Sequence, residues 1–262
     1  MAAELHIEPI PAFDDNYIWL LWREGRAGCA VVDPGDDEPV REALAKRGLR
    51  LENILITHKH GDHVGGIAAL KAVWPKAVVH GPAGEPIRAL ERRLRGGERL
   101  VLEGPDLVLE VLDVPGHTEG HIAYLGDDIL VCGDTLFACG CGRVFSGTFE
   151  QLADSLRTLA LLPPVTRICC AHEYTLDNIG FAKWVEPDNP DLSVREQRVR
   201  EQRARGEPGV PSTLAEELAT NPFLRTGEST VITAAECWAG RMLDDPTAVF
   251  TALRTWKDKD YD

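Results

Sequence analysis

The sequence predicts an α+β protein: a β-rich body joined to a mostly helical C-terminal region. Three observations lead there. Short apolar runs alternate with glycine-containing turns through the N-terminal part of the chain. Past about residue 175 the texture changes to charged stretches with helical spacing. Several of the apolar runs end in a turn rich in histidine or aspartate, the arrangement of strands that deliver functional loops.

Residues 17–22 and 29–33 read as neighbouring strands, 39–47 as a helix stopped by Gly48, and 53–57 as the strand leading into the first histidine-rich turn. The stretches 77–80, 107–114, 122–125 and 129–132 continue the strand pattern. Residues 151–162 have helical spacing that ends at Pro163-Pro164, and 167–171 is the last strand expected. Beyond it, 193–205 alternates in charge with few apolar positions and is expected to be a solvated helix. Further helices are expected at 213–219, 234–243 and 247–257.

A chain of 262 residues with 44% apolar content can bury a substantial core. A formal charge of −14 argues against a nucleic-acid partner bound by neutralising phosphates, so a small substrate is expected. The N-terminus lacks a basic region followed by an apolar core, and no stretch is long enough to span a bilayer; a cytoplasmic location without a membrane partner is expected. Of the seven cysteines, Cys132, Cys169 and Cys170 fall inside strand-like runs as small apolar groups. Cys139 and Cys141, close to Asp134, are expected to be structural or bystanders.

Residues 57–63 read Thr-His-Lys-His-Gly-Asp-His. His58, His60 and His63 supply borderline nitrogen donors and Asp62 a hard oxygen, a mixture suited to zinc, iron or manganese. One loop cannot aim every ligand a metal needs. Further donors are expected from other strand ends: His117 in Val-Pro-Gly-His-Thr-Glu-Gly-His, Asp134 in Cys-Gly-Asp-Thr and His172 in Ala-His-Glu-Tyr. A histidine-rich turn alone is as readily a solvated loop, but four such segments after strand-like runs point to metal. His58 and His60, one residue apart, project from the same side of an extended loop, whereas Asp62 and His63 follow Gly61 and can point elsewhere. The donors thus divide into two sets, completed by His117 and His172, with the two oxygens of Asp134 left to bridge. Two Lewis acids share a reaction centre when held about 3.5–4 Å apart, and water between them is a hydroxide at neutral pH.

The Thr-His-x-His-x-Asp-His loop, His117, Asp134 and His172 together resemble the metallo-β-lactamase-like hydrolases. That resemblance implies an αββα sandwich, two β-sheets face to face with helices outside. It also implies two divalent ions per chain, zinc expected and iron or manganese accepted. His58, His60 and His117 would hold one ion, Asp62, His63 and His172 the other, with Asp134 bridging. The scaffold carries many activities. More specific are Phe137-Ala138-Cys139-Gly140-Cys141-Gly142-Arg143, the run Ala171-His172-Glu173-Tyr174-Thr175-Leu176-Asp177-Asn178, the run Pro211-Ser212-Thr213-Leu214-Ala215-Glu216-Glu217 followed by Asn221-Pro222-Phe223-Leu224-Arg225, and Arg254-Thr255-Trp256-Lys257-Asp258. Together they are similar to the hydroxyacylglutathione hydrolase (glyoxalase II) family, from the N-terminus to within a few residues of the end.

This resemblance implies a metal-binding catalytic domain over 1–175 and a helical substrate-binding domain over 176–262. It implies hydrolysis of S-D-lactoylglutathione and other S-2-hydroxyacylglutathiones to glutathione and the hydroxy acid by a metal-bridging hydroxide. Asp62 and Asp134 would serve the chemistry, and Arg143, Tyr174, Arg254 and Lys257 would surround the glutathione. Arg254 and Lys257, at i and i+3 of a helix, suit a clamp on the terminal glycine carboxylate. Phe145 stands where many family members carry tyrosine, which removes a hydrogen bond worth ~0.5–1.5 kcal/mol. No Gly-x-Ser-x-Gly nucleophile turn is present. The competing function is a glutathione persulfide dioxygenase, which resembles this scaffold but uses one iron bound by two histidines and an aspartate; the second-site donors His60, Asp62 and His63 and the helical C-terminus favour the thioesterase. The expected partner is a small glutathione thioester, and the expected state a monomer.

Overall fold

Side-chain alternation and β-branched residues organise the N-terminal part of the computed structural model, which describes residues 4–261. The chain divides into two compact units, one comprising the chain up to Asp113 with Thr118–Gly133, the other Val114–His117 and everything from Asp134 onward.

In the first unit, β1 (Leu5–Ala12), β2 (Asn16–Arg23), β3 (Gly28–Val32), β4 (Arg50–Leu55), β5 (Val78–Pro82) and β6 (Arg92–Leu94) form a sheet in that order. The first three pair antiparallel and the remainder parallel. Parallel neighbours require crossovers, supplied by α1 (Glu38–Arg47) between β3 and β4 and by α2 (Gly61–Val64) with α3 (Ile67–Val73) between β4 and β5. Val40 and Leu44 of α1 and Ile67 and Leu70 of α3 pack on Ile18, Leu20, Val31, Ile54 and Val79 in one buried cluster. Register aligns Val32 with Leu55 and Leu55 with His80, so the parallel strands end together and the turns beyond them share one edge, where ligands bind in such sheets. The strands β7 (Arg99–Leu102), β8 (Leu107–Asp113), β9 (Ile122–Gly126) and β10 (Ile129–Gly133) pair antiparallel in succession. In β8 Leu107, Leu109 and Val111 point inward while Val108 and Glu110 face out, the alternation of a sheet with one wet face.

The second unit holds the hairpin β11 (Leu136–Phe137) and β12 (Gly140–Cys141), the antiparallel pair β13 (Arg167–Cys170) and β14 (Ser212–Thr213), and the helices α4 (Phe149–Leu159), α5 (Thr175–Val185), α6 (Pro190–Ala204), α7 (Leu214–Thr220), α8 (Ser229–Ala239) and α9 (Pro246–Trp256). A π-helical turn, Lys257–Tyr261, follows α9. Helix α4 starts two residues before the expected position because Thr148 and Gln151 form a reciprocal capping box. The helix expected at 234–243 is α8, which ends where Gly240 takes a left-handed conformation. No described helix is long and apolar enough to cross a membrane.

One expectation is corrected. The helix expected to be solvated, α6, buries Leu192, Arg195 and Val199. Its charge pattern hides a buried ion pair: Arg195 donates to Glu217 Oε1 at 2.5 Å and to Thr220 Oγ1 at 2.6 Å. The other oxygen of Glu217 accepts the Cys139 N–H (2.7 Å) and an Asn221 amide N–H (3.2 Å). Asn221 also donates to the carbonyls of Phe137 and Gly140, and Asn178 to that of Ala138. Helices distant in sequence therefore saturate the backbone of the short hairpin that follows Asp134. Strand β1, outside the expected elements, carries Pro9 and Pro11 and lies at the sheet edge, where proline is tolerated.

Arg195→Ala would leave Glu217 buried without its cation. It is expected to cost about 3–5 kcal/mol, read as a lower urea midpoint; an unchanged midpoint would show that the hairpin does not depend on this pair.

Candidate metal centre

In the first unit the donors lie on the turns beyond β3 and β4. Asp33, immediately after β3, is buried, and its backbone is left-handed at φ 54°. Its Oδ1 accepts the Thr57 N–H and its Oδ2 the Thr57 hydroxyl, both at 2.7 Å. Having given its proton to Asp33, the Thr57 oxygen accepts from Nδ1–H of His58 at 3.1 Å, which leaves a lone pair on His58 Nε2. The His63 ring lies between two carboxylates, with Nδ1 3.1 Å from Asp33 Oδ2 and Nε2 3.3 Å from Asp62 Oδ2. Asn16 donates to that Asp62 oxygen at 2.9 Å. His58 Nε2 and His60 Nδ1 approach to 2.9 Å. The His58 ring lies 4.1 Å from that of His63 and stacks at 4.7 Å on His121. Gly35 permits the turn after Asp33 to pass beneath this loop, since a Cβ there would fall 1.8 Å from the Asp62 carbonyl oxygen.

In the second unit His117, Asp134 and His172 converge. Asp134 Oδ2 is 3.4 Å from His117 Nε2 and Oδ1 is 3.4 Å from His172 Nε2. Two ligand atoms on one tetrahedral ion with ~2.0 Å bonds lie roughly 3.3 Å apart. Each oxygen of this one carboxylate is therefore spaced from a different imidazole as two ligands of one ion would be. His117 Nδ1 donates to the Arg143 carbonyl at 2.7 Å, so its Nε2 carries the available lone pair. At Gly142 a Cβ would meet the Asp134 carbonyl at 2.0 Å, so the chain can return past Asp134 only without a side chain. The donor set, neutral imidazole nitrogens oriented by acceptors plus carboxylate oxygens, fits divalent zinc, iron or manganese.

The substrate-side candidates also belong to the second unit. Tyr174 stacks on His172 at 4.9 Å and 3°. Phe145, 65% exposed, packs edge-to-face against His117 at 5.2 Å. Arg143 and Arg254 face the same oxygen of Asp258, and Lys257 Nζ lies 3.4 Å from Asp177 Oδ2. Burial raises the thiol of Cys139 to about 12 and that of Cys141 to about 11, so both stay protonated at neutral pH and pack as small apolar groups.

Sequence reasoning did not single out Asp33, Asn16 or His121. Asp33 had a local signal, an aspartate between an apolar strand and Pro34-Gly35. Asn16 and His121 acquire their positions only through folding.

The metallo-β-lactamase superfamily model matches residues 12–172, and the hydroxyacylglutathione hydrolase C-terminus model matches 173–260. Curated hydroxyacylglutathione hydrolases align over nearly the whole chain. That of Alkalilimnicola ehrlichii is 55% identical over 97% of this chain and 98% of its own, and that of Pseudomonas fluorescens 50% identical over 97% and 99%. Among solved structures, ETHE1 from Myxococcus xanthus superposes with a TM-score of 0.64 at 25% identity, covering 95% of this chain and 96% of its own. TTHA1623 in a di-iron-bound form superposes at 0.53 with 27% identity, over 64% of this chain and 91% of its own.

Asp33→Asn would place an amide N–H2 against donors that need an acceptor. Divalent-ion affinity, measured by chelator competition on folded protein, is expected to fall about ten- to a hundredfold; unchanged affinity would remove Asp33 from the metal's support.

Proposed function

The chain belongs to the hydroxyacylglutathione hydrolase family of the metallo-β-lactamase superfamily, and from that premise we propose how its residues divide the work. It is a glyoxalase II-type thioester hydrolase acting on S-D-lactoylglutathione, with the αββα fold and a helical C-terminal region. Its histidine and aspartate groups can bind divalent metal ions.

The observation that carries the site reading is Asp134, whose two oxygens face two different imidazoles. In this reading His58, His60 and His117 would hold one ion and Asp62, His63 and His172 a second, with Asp134 as the ligand both would share. Zinc is the proposed occupant, and iron or manganese suits the same donors. Such a pair supplies a water-derived nucleophile at neutral pH and a Lewis acid for the thioester carbonyl. The carboxylate of Asp33 faces the His63 ring and, through Thr57, keeps the Nδ1 proton of His58 away from the reaction. The Arg143 carbonyl does the same for His117. Asp62, tied by Asn16, orients the attacking water. A glutathione thiolate is a good leaving group, so no side-chain acid is needed to expel it.

The glutathione part of the substrate is assigned to Arg143, Tyr174, Arg254 and Lys257. Arg143 offers an exposed charge and Tyr174 an exposed ring stacked on His172, while Arg254 and Lys257 are buried. Residues 1–175 form the proposed catalytic domain and 176–262 the substrate-binding domain; the spans of the two family models support that division.

The test is turnover of S-D-lactoylglutathione by purified protein, with metal analysis and His58→Ala alongside. Turnover abolished in the variant, with close to two ions per wild-type chain, is the expected outcome. A metal-loaded protein that leaves this thioester intact but consumes oxygen with glutathione persulfide would overturn the reading. Phe145→Tyr restores a hydroxyl beside the site and is expected to lower KM about two- to tenfold, the worth of one hydrogen bond; an unchanged KM would place residue 145 outside the glutathione contacts.

A further inference from the structure

The cations assigned to glutathione face acidic side chains of the protein itself. Arg254, only 1% exposed, donates to the Cys141 carbonyl at 3.0 Å and to Asp258 Oδ1 at 2.9 Å. Arg143 has a side chain 55% exposed, and its Nε lies 3.6 Å from that same Asp258 oxygen. The first contact is short, sheltered and hydrogen-bonded; the second is too long for a hydrogen bond and is open to water. Asp258, on the turn after α9, is therefore anchored to one arginine and only loosely paired with the other.

We propose that Asp258 is an internal competitor for the carboxylate of the substrate, a residue that limits the affinity of Arg143 for glutathione thioesters and for the glutathione product. The proposal rests on the assignment of Arg143 to glutathione. An incoming carboxylate exchanges one partner of Arg143 for another, while Arg254 keeps Asp258 in place through its buried bond. The gain is reduced by what the Asp258 charge already contributes at Arg143, on the scale of an exposed ion pair, so the anion is held less tightly than it would be beside an uncharged neighbour. The product carries the same carboxylate and leaves readily. A guanidinium without that neighbour would bind both more tightly.

Asp258→Asn in the full-length, metal-loaded protein isolates this effect, since the asparagine Oδ1 still accepts from Arg254 while the charge is gone. The ligand is S-methylglutathione, which has no thioester to cleave, compared with its analogue amidated at the glycine carboxylate. Binding is read by calorimetry, together with KM for S-D-lactoylglutathione. The variant is expected to bind the acid about two- to fivefold more tightly, on the scale of an exposed ion pair, and to bind the amide with a smaller gain. Arg143→Ala should weaken binding of the acid. If Arg143→Ala weakens the acid while Asp258→Asn leaves it unchanged or weaker, Asp258 is not a competitor and instead positions Arg143. If Arg143→Ala has no effect, the assignment of Arg143 fails and the proposal with it. Should the asparagine variant not fold, Asp258→Gln, whose amide oxygen can reach and accept from Arg254 without a charge, carries the same comparison.

Discussion

The buried carboxylate of Asp33 is the constraint on which the donors of the first unit depend. His58 and His63 are buried with their rings in contact, so their orientation must be set by the groups packed around them. Asp33 sets that orientation by accepting the backbone and hydroxyl protons of Thr57 and facing Nδ1 of His63. In a low-dielectric interior such charge-assisted bonds are strong, and the same carboxylate without partners would be costly. The aspartate itself sits at a left-handed φ of 54°, strain of about 1–3 kcal/mol that persists only where surrounding structure imposes it. The register of β3 against β4 brings Asp33 and Thr57 to neighbouring strand ends.

The second unit meets a similar problem with Glu217. Its carboxylate is buried, balanced by Arg195, and bonded to the backbone of the 136–141 hairpin. That hairpin links Asp134, a proposed metal ligand, to Arg143, whose carbonyl fixes the His117 tautomer. A buried pair of this kind contributes little net stability relative to apolar packing, but breaking it is expensive. Its effect is to hold a short, irregular segment in one conformation by occupying its backbone polar groups.

Chemistry and recognition make different demands on the protein. Of the proposed metal ligands, His58, His63, His117, Asp134 and His172 are buried, and the Nδ1 atoms of His58 and His117 are held by Thr57 and the Arg143 carbonyl, whereas the cations assigned to glutathione combine a buried anchor, Arg254, with an exposed one, Arg143. A thioester needs no strong acid to release its thiolate, so the protein can devote its charged side chains to orientation and binding. The buried thiols Cys139 and Cys141 sit beside this machinery with raised pKa values and act only as packing.

Much of this was legible in the sequence because the informative features are local. Ligand type and spacing in 57–63, the donors at 117, 134 and 172, and the strand or helix character of most segments depend on near neighbours along the chain. Gly48 stops its helix wherever that helix packs. Long-range pairing was not legible. Arg195 reads as one more charge on a polar helix until α7 brings Glu217 to it, and Asp33 reads as a turn residue until β3 and β4 align. The roles of Asn16, His121 and Asp258 likewise depend on contacts with residues far along the chain. The amino-acid sequence by itself determined which atoms can bind metal and which family the chain resembles, since covalent spacing carries both. Only the tertiary structure decided which nitrogen of His58 and His117 is available and which carboxylates Arg195 and Arg254 face, because hydrogen-bond partners are set by packing between distant segments.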